Sequence, residues 1–194
     1  LVTSTIPNEG KSTTALALAR TYTQAGKKVL LIDSDLRRPT LHAFVGAAPS
    51  SEFLDYLRDP KGHVSMQDFS SADPMSDLTL LLGRSRSATP TDQLVSSEQF
   101  EKVLQGAKRV FDVIILDSPP LLPVVDGYYL AKYADAVVMI VRFASTAQSE
   151  LRAVRGSLRD AMQTDAPVLT VLSHKEASRR GSYNYHYGYG DEAS

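Results

Sequence analysis

Leu1-Val2-Thr3-Ser4-Thr5-Ile6-Pro7-Asn8-Glu9-Gly10-Lys11-Ser12 runs into Thr13-Thr14-Ala15-Leu16-Ala17-Leu18-Ala19. The first four residues read as a buried strand. Ser12 to Ala25 is rich in helix formers and stops at Gly26, a residue suited to the left-handed turn after a helix. Between strand and helix sits Gly10-Lys11-Ser12. Phosphate binding requires backbone N–H groups converging on one cavity, a helix N-terminus behind them, and a residue without a side chain where the loop turns. Asn8, Glu9, Gly10, Lys11, Ser12 and Thr13 are therefore the candidate nucleotide-binding residues, with Lys11 reaching the β- and γ-phosphates and the Ser12 hydroxyl placed for magnesium. The pattern is incomplete, because the first glycine of G-x-x-x-x-G-K-S/T falls at Thr5. The plain alternative is a strand-to-helix turn with a solvated lysine.

Working outward, Val29 to Asp33, Val113 to Asp117, Ala136 to Val141 and Val168 to Leu172 each read as buried strands separated by helical stretches. That alternation predicts an α/β fold, a P-loop NTPase arrangement with a mainly parallel central sheet flanked by helices. Ser96 with Gln99, and Ser145 with Gln148, have the spacing of capping boxes. The first precedes an apolar stripe of Phe100, Val103, Leu104, Ala107 and Val110, the second one of Leu151, Val154, Leu158 and Met162. Pro39 to Pro90 is less regular, with short helices expected near residues 40–44 and 52–57 and a strand at 78–82, and no chemistry is assigned there.

Composition narrows the classes. Hydrophobic residues make up 43% of the 194 and charged residues 22%, near the globular average. The formal net charge of −1 offers no overall basic excess for a nucleic acid or an acidic membrane. The absence of cysteine excludes disulfides, thiolate zinc sites and a cysteine nucleophile. No apolar run approaches the roughly 20 residues that cross a bilayer. The chain begins with Leu1 in a strand already under way, which suggests a soluble piece of a longer protein.

Two strands end in acids: Val29-Leu30-Leu31-Ile32-Asp33-Ser34-Asp35 and Val113-Ile114-Ile115-Leu116-Asp117. In an open α/β sheet, ligands bind beyond the carboxyl ends of parallel strands, which sets these carboxylates beside the loop. Three clustered acids repel one another unless a cation neutralises them, and magnesium is the natural one. Asp35 and Asp117 are its candidate ligands, with Ser12. Asp33 is the candidate base, since a tyrosine hydroxyl with a pKa near 10 attacks poorly unless a carboxylate takes its proton. Two alternatives stand beside these roles: the acids cap following turns, or Asp33 supports the metal indirectly.

Three segments, Thr3 to Ser12, Leu31 to Pro39 (with Asp33-Ser34-Asp35-Leu36-Arg37) and Ile114 to Pro120, make the chain resemble the bacterial tyrosine kinases that form the cytoplasmic part of polysaccharide co-polymerases. Gly83 and Pro90-Thr91-Asp92-Gln93-Leu94 resemble that family's proline-containing loop. The broader relatives are MinD/ParA-type ATPases, whose second lysine, five residues before the invariant one, is Ile6 here. The resemblance implies ATP and Mg²⁺ as cofactors, with Lys11, Asp33, Asp35 and Asp117 catalytic. It also implies autophosphorylation in trans within a homo-oligomer, a transmembrane co-polymerase segment or activator, a protein-tyrosine phosphatase, and control of capsule or exopolysaccharide export at the cytoplasmic face of the inner membrane. Where the family often places an adenine-reading asparagine, this chain has Ser173.

Residues 1–174 form the expected kinase domain and 175–194 a tail. Tyr183, Tyr185, Tyr187 and Tyr189 are the candidate phosphoacceptors. From Ser173 to Tyr185 an extended chain reaches roughly 40 Å, enough for a neighbour's site. Each modification adds about −1.5 to −2 charges, so a modified tail is expected to be repelled by the acids and to loosen assembly. An inert aromatic tail is the alternative. Arg37 and Arg38 suit phosphate or an acidic neighbour, with surface solvation equally weighed. Arg84, Arg86, Arg179 and Arg180 read as solvated or docking charges, and the four histidines lack metal-binding spacing. Two rival functions remain: an ATPase switch without protein kinase activity, and a non-enzymatic nucleotide sensor.

Overall fold

The computed structural model describes residues 1–47, 53–58, 66–83, 90–162 and 164–174. In chain order the elements are β1 (Val2–Ser4), α1 (Lys11–Gln24), β2 (Val29–Asp33), α2 (Leu41–Val45), α3 (Phe53–Arg58), α4 (Met66–Phe69), β3 (Ser70–Ala72), β4 (Thr79–Leu81), α5 (Thr91–Val95), α6 (Glu98–Ala107), β5 (Val113–Asp117), α7 (Asp126–Ala131), β6 (Val137–Arg142), α8 (Gln148–Ala161) and β7 (Val168–Ser173). The strands form one seven-stranded sheet in the order β3-β4-β2-β5-β1-β6-β7, parallel except for β3. The expected fold class is the observed one.

Alternation along the strands divides the core. Leu30 and Ile32 of β2 and Leu116 of β5 pack with Phe53, Phe100, Val103 and Leu104 on one face. Val29, Leu31 and Ile115 pack with Ala15, Leu16 and Ala19 of α1 on the other. A third cluster lies under α8, where Val137, Met139 and Val141 meet Val154 and Leu158. Because side chains two apart share a face, Asp33 follows Leu31 and Asp117 follows Ile115 onto the α1 side. Hydrophobic patterning in the strands thus aims both acids at the helix that begins with Lys11.

Several local expectations need correction. The cap of α6 is Ser97, whose Oγ accepts the Phe100 N–H at 3.2 Å, while Ser96 ends α5. The Ser96 hydroxyl is instead turned back on α5, donating to the Asp92 and Gln93 carbonyls at 2.7 and 3.4 Å. Val110 falls beyond the helix and is exposed. α8 begins after Ala147, not Ser145, with the Glu150 carboxylate accepting the Ala147 N–H at 3.2 Å. Antiparallel β3 and helices α4, α5 and α7 carry too few residues for a periodic signal. Gly26 ends α1 at φ 78°, as its position predicted.

Candidate nucleotide-binding site

The loop from Thr5 to Gly10 leaves β1 and turns back to start α1. Asn8 (φ 66°) and Gly10 (φ 97°) both adopt the left-handed region. Gly10 is needed for its backbone angle, since a Cβ there meets nothing within 4 Å. Its carbonyl accepts from both the N–H and the Oγ1 of Thr14, each at 2.9 Å. Glu9 is buried and ties the loop across the sheet. Its Oε2 accepts the Ile6 N–H at 2.8 Å, and its Oε1 accepts the Arg142 N–H at 2.7 Å and the Thr146 hydroxyl. Glu9 thus contributes to a phosphate only through its backbone, its side chain being committed to holding the loop.

Asn8, Gly10, Lys11, Ser12, Thr13 and Asp35 line a cavity of about 370 Å³, within the range of small-ligand sites. Arg38, Thr40, Phe44 and Arg142 complete its wall with Pro7. Lys11 Nζ lies 3.0 Å from Asp35 Oδ2 and 3.5 Å from Asp117 Oδ1. Burial works against its charge, but Asp117 and Asp35 outweigh that and raise its pKa.

Asp33 and Asp117 have no exposure, and neither lines the cavity. Asp33 Oδ2 accepts the backbone N–H groups of Thr40 and Leu41, each at 3.1 Å, so it holds the start of α2, while its Oδ1 is a buried atom without a partner. Burial first, then the charge of Asp117, pushes Asp33 well above the usual carboxylate range. Neither oxygen of Asp117 receives a hydrogen bond of ordinary geometry, although the Lys11 ammonium lies 3.5 Å from Oδ1; burial raises its pKa to about 6 despite the pull of Lys11. Such poorly satisfied carboxylate oxygens fit a divalent cation. Among the described residues no group of three or more acids or histidines could hold a metal.

The segment assigned no chemistry contributes after all. Thr40 Oγ1 lies 3.5 Å from Ser12 Oγ. A Cβ on Gly83 would come within 2.6 Å of Pro39 Cβ, so Gly83 permits the close approach of β4's end to the acidic loop. Arg37 binds an acidic neighbour while remaining about half exposed: its Nε and Nη2 donate to the two oxygens of buried Asp126 at 3.2 and 3.1 Å, and Thr91 Oγ1 donates to the same carboxylate. Asp126, Thr40, Arg142 and the tether of Glu9 escaped sequence reading because their partners lie up to 137 residues away. Tyr183, Tyr185, Tyr187, Tyr189, Arg84, Arg86, Arg179 and Arg180 fall outside the described residues. No helix among the described residues is long and apolar enough to cross a membrane.

A loop with two left-handed residues lining a cavity before α1, a lysine between two buried acids, and a parallel sheet ending at both define a phosphate-loop nucleotide-binding domain. The model of an AAA domain family, AAA_31, matches residues 8–169. The tyrosine-protein kinase YwqD of Bacillus subtilis is 32% identical over 188 residues, spanning 96% of this chain and 76% of YwqD. The succinoglycan biosynthesis transport protein ExoP of Rhizobium meliloti is 29% identical over 186 residues, which are 94% of this chain but 23% of ExoP. The crystal structure of the VpsO kinase domain aligns with a TM-score of 0.76 at 30% identity, covering 88% of this chain and 82% of that one. The chain belongs to this AAA domain family and, within it, to the bacterial tyrosine-protein kinases that include YwqD.

Proposed function

We propose that this domain transfers the γ-phosphate of ATP to protein tyrosines, among them Tyr183, Tyr185, Tyr187 and Tyr189 of a neighbouring copy. By that transfer it regulates polymerisation and export of a capsule or exopolysaccharide. The observation that carries the reading is Lys11 held between Asp35 and Asp117 at the mouth of the phosphate loop, in a chain related along nearly its whole length to a tyrosine-protein kinase.

Lys11 Nζ occupies the place a divalent cation needs, so the lysine must swing from the acids to the β- and γ-phosphates as nucleotide enters. Ser12, Asp35 and Asp117 would hold Mg²⁺, which when bound would neutralise charge on the phosphates and orient them. The backbone amides from Asn8 to Thr13 fix the triphosphate. The tyrosine oxygen attacks the γ-phosphorus, a P–O bond forms to it, the bond to the bridging oxygen breaks, and ADP departs. Asp33 takes the tyrosine proton on Oδ1, the oxygen left without a partner, and its raised proton affinity suits that task. Since Asp33 lies behind the cavity wall, loading must expose it as Lys11 moves.

A homo-oligomer supplies the tails, residues 175–194, to residues 1–174 of neighbours. A transmembrane co-polymerase segment or activator holds the domain at the cytoplasmic face of the inner membrane, and a protein-tyrosine phosphatase resets the tail. Incubation of the full chain with magnesium and γ-labelled ATP is the test. Label retained on tyrosine, and lost when the four tail tyrosines are phenylalanine, supports the kinase. Free phosphate alone would make the domain an ATPase switch, and neither product would make it a nucleotide sensor.

A further inference from the structure

Besides Lys11, the phosphate cavity is lined by a second partly buried cation, Arg142, the last residue of β6. The loop from Thr5 to Thr13 carries only Lys11 as a positive side chain, and the position of the second lysine of MinD/ParA-type ATPases is Ile6. Lys11 is drawn toward Asp35 and Asp117. Arg142 is not drawn to any acid. Among the described residues its guanidinium has neither an ion-pair nor a hydrogen-bond partner. Withdrawing a charge from water without pairing it costs free energy, and a guanidinium that does so on an anion cavity is waiting for the anion. Arg38, the other cation of the wall, is exposed.

The backbone of Arg142 is fixed to the phosphate loop. Its N–H donates to Glu9 Oε1 at 2.7 Å, and its carbonyl accepts the N–H groups of Ser145 and Thr146 at 3.3 and 3.4 Å. The Thr146 hydroxyl donates to the same Glu9 oxygen, and Ser173 Oγ donates to the Glu9 carbonyl at 2.9 Å. Arg142 is thus held at the residue that precedes Gly10, by bonds that do not involve its own side chain. A donor positioned in advance needs little reorganisation when charge develops in front of it.

Strand order decides which charge that is. β2 and β5, which lead to Asp33, Asp35 and Asp117, lie on one side of β1, and β6 lies on the other. With the γ-phosphate against the acids, Arg142 stands across the loop from them, beside the phosphates that depart. We propose that Arg142 is a catalytic residue acting on the leaving group, its guanidinium donating to oxygens of the β-phosphate. As the tyrosine oxygen bonds to the γ-phosphorus, the bond from that phosphorus to the bridging oxygen breaks, its electron pair stays on ADP, and the tyrosine proton passes to Asp33. Negative charge gathers on the β-phosphate during this step, and a guanidinium meets it with two directed hydrogen bonds. Arg142 therefore holds the transition state more tightly than it holds ATP. The inference rests on the phosphoryl-transfer reading above and adds the side chain that receives the leaving group.

The test follows ADP formation by the full chain with magnesium and ATP, because ADP counts broken bonds whether the phosphate passes to tyrosine or to water. Arg142→Ala should lower kcat at least about a hundredfold while ATP affinity, measured by calorimetry, weakens less than about fivefold. Arg142→Lys should recover part of the loss, since it keeps the charge without the fork. Methylguanidinium chloride should raise kcat of Arg142→Ala several-fold and leave the wild type unchanged, a response that a merely structural role would not give. A kcat in Arg142→Ala within about threefold of wild type, an ATP affinity that falls as far as kcat does, or no response to methylguanidinium would overturn the inference. Wild-type protein that forms ADP but labels no tyrosine would overturn the kinase reading alone, with Arg142 still judged on ADP formation; wild-type protein that forms no ADP would overturn both.

Discussion

Asp33 and Asp117 stand opposite one another in the parallel register of β2 and β5, both without solvent exposure and both with an oxygen that no donor satisfies. Two carboxylates facing each other across adjacent strands, with Asp35 nearby, oppose folding at neutral pH unless a cation sits among them. Lys11 supplies one positive charge against three acids. The positive charge at this cluster is thus outnumbered by the acids around it.

The pH dependence of stability should reflect this. The folded-state pKa of Asp117 is raised from 3.8 to about 6, and that of Asp33 is raised too. A carboxyl with a raised pKa binds its proton in the folded state at a pH where the unfolded chain has lost it, so stability falls as pH climbs from about 4 through about 6. The melting temperature of the nucleotide-free protein should accordingly rise on acidification from pH 7.5 to pH 5.5, measured by calorimetry. Asp117→Asn should flatten that rise, raise the melting temperature at pH 7.5 and abolish the stabilisation conferred by magnesium with ADP. A melting temperature that falls between pH 7.5 and 5.5 in the wild type would contradict the assignment.

Lys11→Met removes the cation that the acids share. At pH 7.5 the buried carboxylates are left unpaired, with an expected loss of about 3 kcal/mol in urea denaturation. At pH 5.5 the deficit should shrink, because protonated Asp117 no longer needs a partner. Nucleotide binding and phosphotransfer should fall at least about a hundredfold at either pH, since the lysine also serves the phosphates.

Glu9→Ala tests the loop tether. The substitution strands the N–H groups of Ile6 and Arg142 and the hydroxyl of Thr146, which a buried carboxylate now satisfies. A loss of about 2–4 kcal/mol is expected, from more than one unsatisfied buried group. Nucleotide affinity should drop with it while Glu9→Gln recovers part of both, because the amide oxygen still accepts one bond. Equal affinity in wild type and Glu9→Ala would show that the loop needs no such anchor.

Arg37→Ala should weaken magnesium binding more than it weakens the fold. The guanidinium is about half exposed, so its loss costs no more than about 1 kcal/mol after solvent screening, even though Asp126 is fully buried. Arg37 lies two residues beyond Asp35, and its fork on Asp126 pins the acidic loop to the start of α7. Magnesium titration followed by nucleotide fluorescence should give a several-fold weaker metal affinity. An unchanged metal affinity with reduced stability would assign the pair to the fold alone.

The strands and α1 were legible because each is long enough to carry a period: the apolar run before Asp33, the run before Asp117, and the helix formers after Ser12. Caps were misplaced by one or two residues at Ser96 and Ser145, where adjacent polar residues compete and only the real path of the backbone decides. The edge strand β3 and the short helices owe their existence to packing and pairing, which no local pattern encodes. Candidate site residues were read from two kinds of local signal, Gly10-Lys11-Ser12 and acids at strand ends.

By itself the sequence determined the alternation of buried strands and helices, the phosphate loop at Gly10, and the presence of three acids at strand ends, because hydrophobic period and turn chemistry are written within a few neighbouring residues. Only the tertiary structure decided that Asp33 and Asp117 face each other beneath Lys11, that Glu9 is bound to Arg142 and Thr146, that Arg37 is locked on Asp126, and that Arg142 lines the phosphate cavity. Those contacts join residues far apart in the chain. Their partners are chosen by strand order and burial, which arise when the whole sheet closes around its core.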